Sequence, residues 1–106
     1  MAEKLNREKV FNKTNGHCAY CGCELDFFNF EIDHIIPKKR GGNNRIENLY
    51  PCCRDCNIFK YDNEIEEFRR KVSNIILDTF HGRIASKFYK IQPKEIVFYY
   101  EENNNG

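Results

Sequence analysis

The chain reads as a small α+β domain stapled by a metal ion, and three observations point there. Two Cys-x-x-Cys pairs, Cys18-Ala19-Tyr20-Cys21 and Cys53-Arg54-Asp55-Cys56, have 31 residues between them. Between the pairs lies a run dense in aromatic and β-branched residues, Phe27 to Ile36, and a second short run, Asn48 to Cys52, can return beside it. Outside the pairs, apolar residues recur at helical spacing, before the first and again after the second.

The staple is the firmest of the three. A chain of 106 residues buries only a modest fraction of its unfolded surface, so six cysteines matter. The opening stretch, Met1-Ala2-Glu3-Lys4-Leu5-Asn6-Arg7-Glu8, is charged and has no signal-peptide core, which makes a reducing, cytoplasmic setting the expectation. Thiols there bind metal rather than pair. Each Cys-x-x-Cys turn delivers two thiolates to one tetrahedral ion, and two turns fill its shell, the donor set of a structural zinc. The expected ligands are Cys18, Cys21, Cys53 and Cys56. Cys23 and Cys52 are surplus thiols, either of which could replace a neighbour, and His17 is expected at the surface. Gly22 supplies the permissive backbone of the knuckle. A four-thiolate ion is coordinatively full, so it is expected to hold the fold and do no chemistry. No stretch approaches the roughly 20 apolar residues needed to cross a bilayer, so no membrane partner is expected.

The elements follow in order. Lys4 to Thr14, with Leu5, Val10 and Phe11, predicts a short helix stopped at Asn15-Gly16. Residues 17–24 are the metal knuckle. Phe27 to Ile36, closed by Pro37, predicts a strand, and Lys38 to Arg45 a Gly- and Asn-rich loop. Asn48 to Cys52 predicts a short return strand, which Pro51 confines to an edge or a strand end. A helix begins near Arg54. Continuous with it or close behind, Asn63 with Glu66 is a weak capping-box match opening an amphipathic helix with Ile65, Phe68, Val72, Ile75, Ile76 and Phe80 on its apolar face. His81 near Gly82 suits that helix's C-terminal dipole. Ile84, Phe88 and Tyr89 predict a further short helical piece, Ile96 to Tyr100 a terminal strand, and residues 103–106 a disordered tail. With no linker and no repeat, residues 1–102 are expected to form a single domain, its motif-bearing core at about 17–62.

Seventeen Lys and Arg against sixteen Asp and Glu give a net charge of +1, which selects no partner. The charge is segmental: Lys38, Lys39, Arg40, Arg45, Arg54 and Lys60 face only Glu47 and Asp55 before the acidic run Asp62, Glu64, Glu66, Glu67. That pattern fits a solvated surface as well as a phosphate-binding face.

Between the cysteine pairs stands Glu31-Ile32-Asp33-His34-Ile35-Ile36-Pro37-Lys38-Lys39-Arg40-Gly41-Gly42-Asn43-Asn44-Arg45-Ile46-Glu47-Asn48-Leu49, and the second pair continues Cys56-Asn57-Ile58-Phe59-Lys60. An Asp-His dipeptide, a Gly-Gly loop, an Asn-Leu and a Cys-x-x-Cys-Asn at this spacing resemble the HNH endonuclease family, over roughly residues 4 to 63. The resemblance implies the ββα-metal (His-Me finger) arrangement with flanking helices and hydrolysis of DNA phosphodiester bonds, double-stranded DNA being the expected partner. It implies Asp33 and Asn57 as ligands of a catalytic magnesium or manganese ion, His34 as general base, and Asn48 as the residue that fixes the hairpin and orients His34. Asn57 stands where the family's name has a His, a variation the family contains. Lys38, Lys39, Arg40 and Arg45 would then contact phosphates, with Lys60 or Arg54 assisting the transition state.

Neighbouring strand residues point to opposite faces, so Asp33 and His34 can share one pocket only where the backbone departs from a regular strand. A competing expectation is a non-catalytic zinc-stabilised module that binds nucleic acid or protein, and a third is a toxin or restriction component with a partner protein. The joint presence of Asp33, His34 and Asn57 favours the enzyme. Oligomeric state is not legible.

Overall fold

The computed structural model describes residues 6–77 and 96–103. The expectations for Phe80, His81, Ile84, Phe88 and Tyr89 and for residues 104–106 lie outside them.

Helix α1 spans Arg7–Lys13 and is capped by Asn6, whose side chain accepts from the Lys9 N–H at 3.0 Å. Its inner face buries Val10 and sets Phe11 against Phe27 and Phe30. The Lys13 ammonium donates to the carbonyls of Ile46 and Leu49, which ties α1 to the second strand.

Strands β1 (Glu31–His34) and β2 (Leu49–Cys52) form one antiparallel pair with Glu31 opposite Cys52 and His34 opposite Leu49. The strand expected from Phe27 is shorter because Asp26 competes for the backbone: its carboxylate accepts from the Phe28 N–H and its carbonyl from Phe30, folding residues 26–30 into a turn. Pro51 sits within β2, where both strands are edges, and its carbonyl accepts from the Ala19 N–H at 2.9 Å. The connection holds two 3₁₀ turns, Lys38–Arg40 and Ile46–Asn48.

Helix α2 (Arg54–Lys60) starts from Cys53, whose sulfur accepts from the Cys56 N–H, and packs on β1. Helix α3 (Ile65–Leu77) is separate from it. The expected Asn63–Glu66 cap falls one residue later: the Glu67 carboxylate accepts from the Glu64 N–H at 2.8 Å. Phe68 and Val72 of α3 are fully buried. Among the described residues no helix is long and apolar enough to cross a membrane.

The C-terminal segment corrects two expectations. Residues 96–98 form no strand, though Phe98 is extended, and Tyr99–Glu102 forms one helical turn, α4, in place of the expected strand. The reason lies in its partners. The Tyr99 and Tyr100 N–H groups donate to the knuckle carbonyls of Tyr20 and Ala19, and the Glu101 carboxylate accepts from the Phe98 N–H. Asn103, expected in the disordered tail, ends this turn with its N–H and its side-chain amide on the Tyr99 carbonyl.

The main core gathers Cys18, Ala19, Tyr20, Cys52, Cys56, Phe68, Val72, Ile96 and Phe98. Tyr20 is its hub, edge-on to Phe68 at 5.1 Å and to Phe98 at 5.2 Å. Burying each of these rings contributes about 2 kcal/mol, and edge-on pairs add to that. A smaller cluster of Val10, Phe30 and Leu49 lies under α1.

Candidate functional site

The sulfurs of Cys18, Cys21, Cys53 and Cys56 all lie within 4.8 Å of one another. Two come from the knuckle between α1 and β1 and two from the first turn of α2, so the cluster joins the two halves of the motif. The residues fit a tetrahedral ion. Two of the four are buried, and backbone N–H groups of Tyr20 and Cys56 donate to the sulfurs of Cys18 and Cys53, each at 3.4 Å. Burial pushes the Cys18 thiol up to about 12, while hydrogen bonds from Cys18 and then Cys23 pull Cys21 down to about 3. Four thiols this close are the setting in which one divalent cation replaces several protons. Cys23 packs against the edge of the core beside this cluster, and Cys52 belongs to the core itself. His17 is not drawn in, for it stacks on Tyr99 at 5.1 Å. Gly22, at φ 81°, has Tyr99 where a Cβ would stand, 2.7 Å away.

The other site lies between β1 and α2. An open cleft of about 250 Å³ is lined by Ile32, Asp33, His34, Pro37, Lys38, Lys39, Asn57, Tyr61 and Asp62. Asp33 and His34 both reach it because His34 is the last residue of β1, where the pleat gives way to the turn at Pro37. Asp33 points inward at 4 % exposure. One of its oxygens accepts from the Tyr20 hydroxyl at 2.5 Å, and the other pairs with the Lys60 ammonium at 3.2 Å. Burial pushes the Asp33 carboxyl above the usual carboxylate range, opposed by the charge of Lys60 and the Tyr20 hydroxyl. His34 Nε2 lies 2.8 Å from Asn44 Oδ1. The Asn57 amide donates to Glu31 at 3.4 Å, which leaves its Oδ1 as the acceptor atom.

Asn48 fastens the connection between the strands. Its Oδ1 accepts from the Ile36 N–H at 2.8 Å, and its Nδ2 donates to the carbonyls of Ile36 and Asn43. Gly42 is indispensable to this knot, since a Cβ there would lie 1.7 Å from the Ile36 carbonyl oxygen.

The family model described as "HNH endonuclease" matches residues 18–73. The chain belongs to the HNH endonuclease family. It is similar to the CRISPR-associated endonuclease Cas9 of Corynebacterium diphtheriae, 39% identical over a 72-residue alignment that covers 57% of this chain and 7% of that protein. It is also similar to the CRISPR-associated endonuclease Cas9 of Actinomyces naeslundii, 41% identical over 44 residues, 41% of this chain and 4% of that protein. The chain therefore spans less than a tenth of the length of these relatives. The crystal structure of the Type II-C Cas9 enzyme from Actinomyces naeslundii shares the fold, with a TM-score of 0.56 and 22% identity over 80% of this chain and 12% of that one.

In this HNH domain Asp33, His34 and Asn57 meet at the cleft as the motif implied, and Asn48 holds the connection. The ring of His34 is bonded to Asn44 rather than to Asn48. The basic residues divide. Lys38, Lys39, Arg45 and Arg54 are exposed, and Lys38 and Lys39 line the cleft. Arg40 turns away to Glu67 at 2.6 Å and Glu64 at 3.8 Å. Lys60 is the correction: it is fully buried, its ammonium on Asp33 and on the His34 and Ile35 carbonyls, so it offers no charge to a phosphate. Tyr20, Asn44 and Glu31 escaped the sequence reading. Tyr20 had one signal, its place inside a Cys-x-x-Cys turn, and Glu31 another, its position two residues before Asp33 on the same strand face.

Proposed function

We propose that this chain is a metal-dependent endonuclease that hydrolyses phosphodiester bonds in DNA, its chemistry centred on the core at residues 17–62. One observation carries the reading: Asp33, His34 and Asn57 line a single open cleft together with Lys38 and Lys39. Asp33 and Asn57 offer a carboxylate and an amide oxygen, hard donors that fit magnesium or manganese. A carboxylate has about four lone-pair directions, so the bonds from Tyr20 and Lys60 leave room for a cation. Such an ion, when bound, offsets charge on the phosphate and on the leaving oxygen. His34, with its Nε2–H on Asn44, keeps Nδ1 as the lone pair that accepts a proton from the attacking water. Lys38 and Lys39 draw the phosphate to the cleft, and Arg45 and Arg54 extend the positive surface for duplex DNA. The four-cysteine cluster holds a structural zinc, the ion that this thiolate set prefers.

Supercoiled plasmid with magnesium or manganese tests this. The chain should relax and nick it, and His34→Ala should be slower by a factor of about 10²–10⁴, the usual worth of a general base. Asn57→Ala should lose cleavage while keeping the thiol-bound metal. Equal cleavage by the parent chain and His34→Ala would overturn the proposal.

A further inference from the structure

Tyr61 lies in the cleft wall and has no task in the reading above. It follows α2, where its N–H bonds the Asn57 carbonyl at 3.1 Å, with φ 52° and ψ −127°. Glycine adopts this conformation freely, and a side chain is crowded in it. Packing does not compensate for the strain, because the residue is 71% exposed. A tyrosine that is both strained and solvated serves the fold worse than glycine would, and strain of this kind concentrates at functional sites. Its surroundings indicate which function. The ring shares the cleft with Asp33, His34 and Asn57, and the Lys39 ammonium, paired with Asp62 at 3.2 Å, stands 6.0 Å from its centroid.

From this placement we propose that Tyr61 is a stacking residue which binds an unpaired nucleotide beside the phosphate held in the cleft. The proposal rests on the nuclease reading above and adds a substrate feature to it. An open aromatic face in a cleft that Lys38 lines as well as Lys39 offers a surface for a base and a charge for its phosphate, the combination by which single strands are held. Within a duplex both faces of each base are covered by their neighbours, so only a single-stranded or splayed nucleotide can use the ring.

Fluorescence anisotropy on the full chain, carrying His34→Ala to prevent cleavage, tests this with a labelled single-stranded oligonucleotide and the blunt duplex of the same sequence. Tyr61→Leu, which keeps the side-chain strain and removes the aromatic face, should weaken single-strand binding by about tenfold and leave duplex binding unchanged. Tyr61→Phe should bind the single strand like the parent. Tyr61→Gly should lose single-strand affinity as Leu does while raising Tm by about 4–8 °C, because the strain is relieved. Parental single-strand affinity in Tyr61→Leu, or an equal loss for both DNA forms, would overturn the proposal, as would a fall in Tm for Tyr61→Gly. The nuclease reading stands or falls separately, on plasmid nicking by the parent chain.

Discussion

Tyr20 lies between two of the four clustered cysteines, and its hydroxyl donates to Asp33, thirteen residues further on. The thiol cluster thereby fixes the ring, and the ring fixes a carboxylate of the cleft. Removing only the hydroxyl separates these tasks. In Tyr20→Phe the ring still packs edge-on to Phe68 and Phe98, but a buried acceptor loses its donor, at a cost of about 1–3 kcal/mol. We expect a lower Tm, and also a slower cut at saturating magnesium with a raised half-saturating concentration, because Asp33 is then held by Lys60 alone. A lower Tm with the parental rate and magnesium dependence would make Tyr20 purely a core residue. At this scale the sequence was legible wherever a fixed spacing brings residues together: Asp33, His34 and Asn57 line one cleft, and Asn48 ties the connection beside it. Lys60 was not, because a lysine in a basic segment reads as solvated until the fold tucks α2 under β1 and brings a buried carboxylate to its ammonium.

Between elements, the charge pattern of the sequence changes meaning. The basic loop and the acidic run that follow one another along the chain fold back on each other, Lys39 on Asp62 and Arg40 on Glu64 and Glu67, so much of the local positive excess is matched at short range. The same logic holds the C-terminal segment. Arg69 of α3 donates to both oxygens of Glu101 and to the Ile96 carbonyl, clamping α4 onto α3. No periodicity announces such a pair, and the apolar residues 96–100 read as a strand because their helical turn depends on these distant partners. The hydrogen bonds from Arg69 hold the Glu101 carboxyl below its ordinary 4.5. A depressed carboxylate stabilises the fold above its unfolded value, and the contribution is lost as pH falls through its folded value. Glu101→Gln should therefore lower the stability at pH 7 by roughly 0.5–1 kcal/mol, the range of a partly screened pair. The gap between mutant and parent should close as the pH falls below 4.5 and through the lowered folded value. A gap of the same size at pH 3 and pH 7 in thermal melts would show that the clamp is not ionic.

Over the whole molecule, the question is whether the apolar core or the thiol cluster decides that the chain folds. Each core is small: nine buried residues in one cluster and three in the other, among those described. Domains of this size retain about 5–15 kcal/mol of net stability in total. The apparent binding free energy of zinc at a four-ligand structural site is itself about 10–16 kcal/mol, so it is as large as everything else combined. Its removal should not loosen one corner. The cluster joins the knuckle to the start of α2, the knuckle carries Tyr20 and thus Asp33, and α4 hangs on the knuckle through the Ala19 and Tyr20 carbonyls. The paired cysteine spacing made the four-thiol cluster legible in the sequence, whereas this dependence of the cleft on the cluster needed the contacts through Tyr20. We expect one zinc per chain by elemental analysis, and expect that a chelator under reducing conditions abolishes the far-ultraviolet circular dichroism of the helices and the near-ultraviolet tyrosine signal in a single transition. Re-adding zinc should restore both, and Cys53→Ser should resemble the chelated chain. If the stripped, reduced protein keeps its near-ultraviolet signal, the aromatic core around Tyr20 folds without the ion and the cluster is an accessory to it.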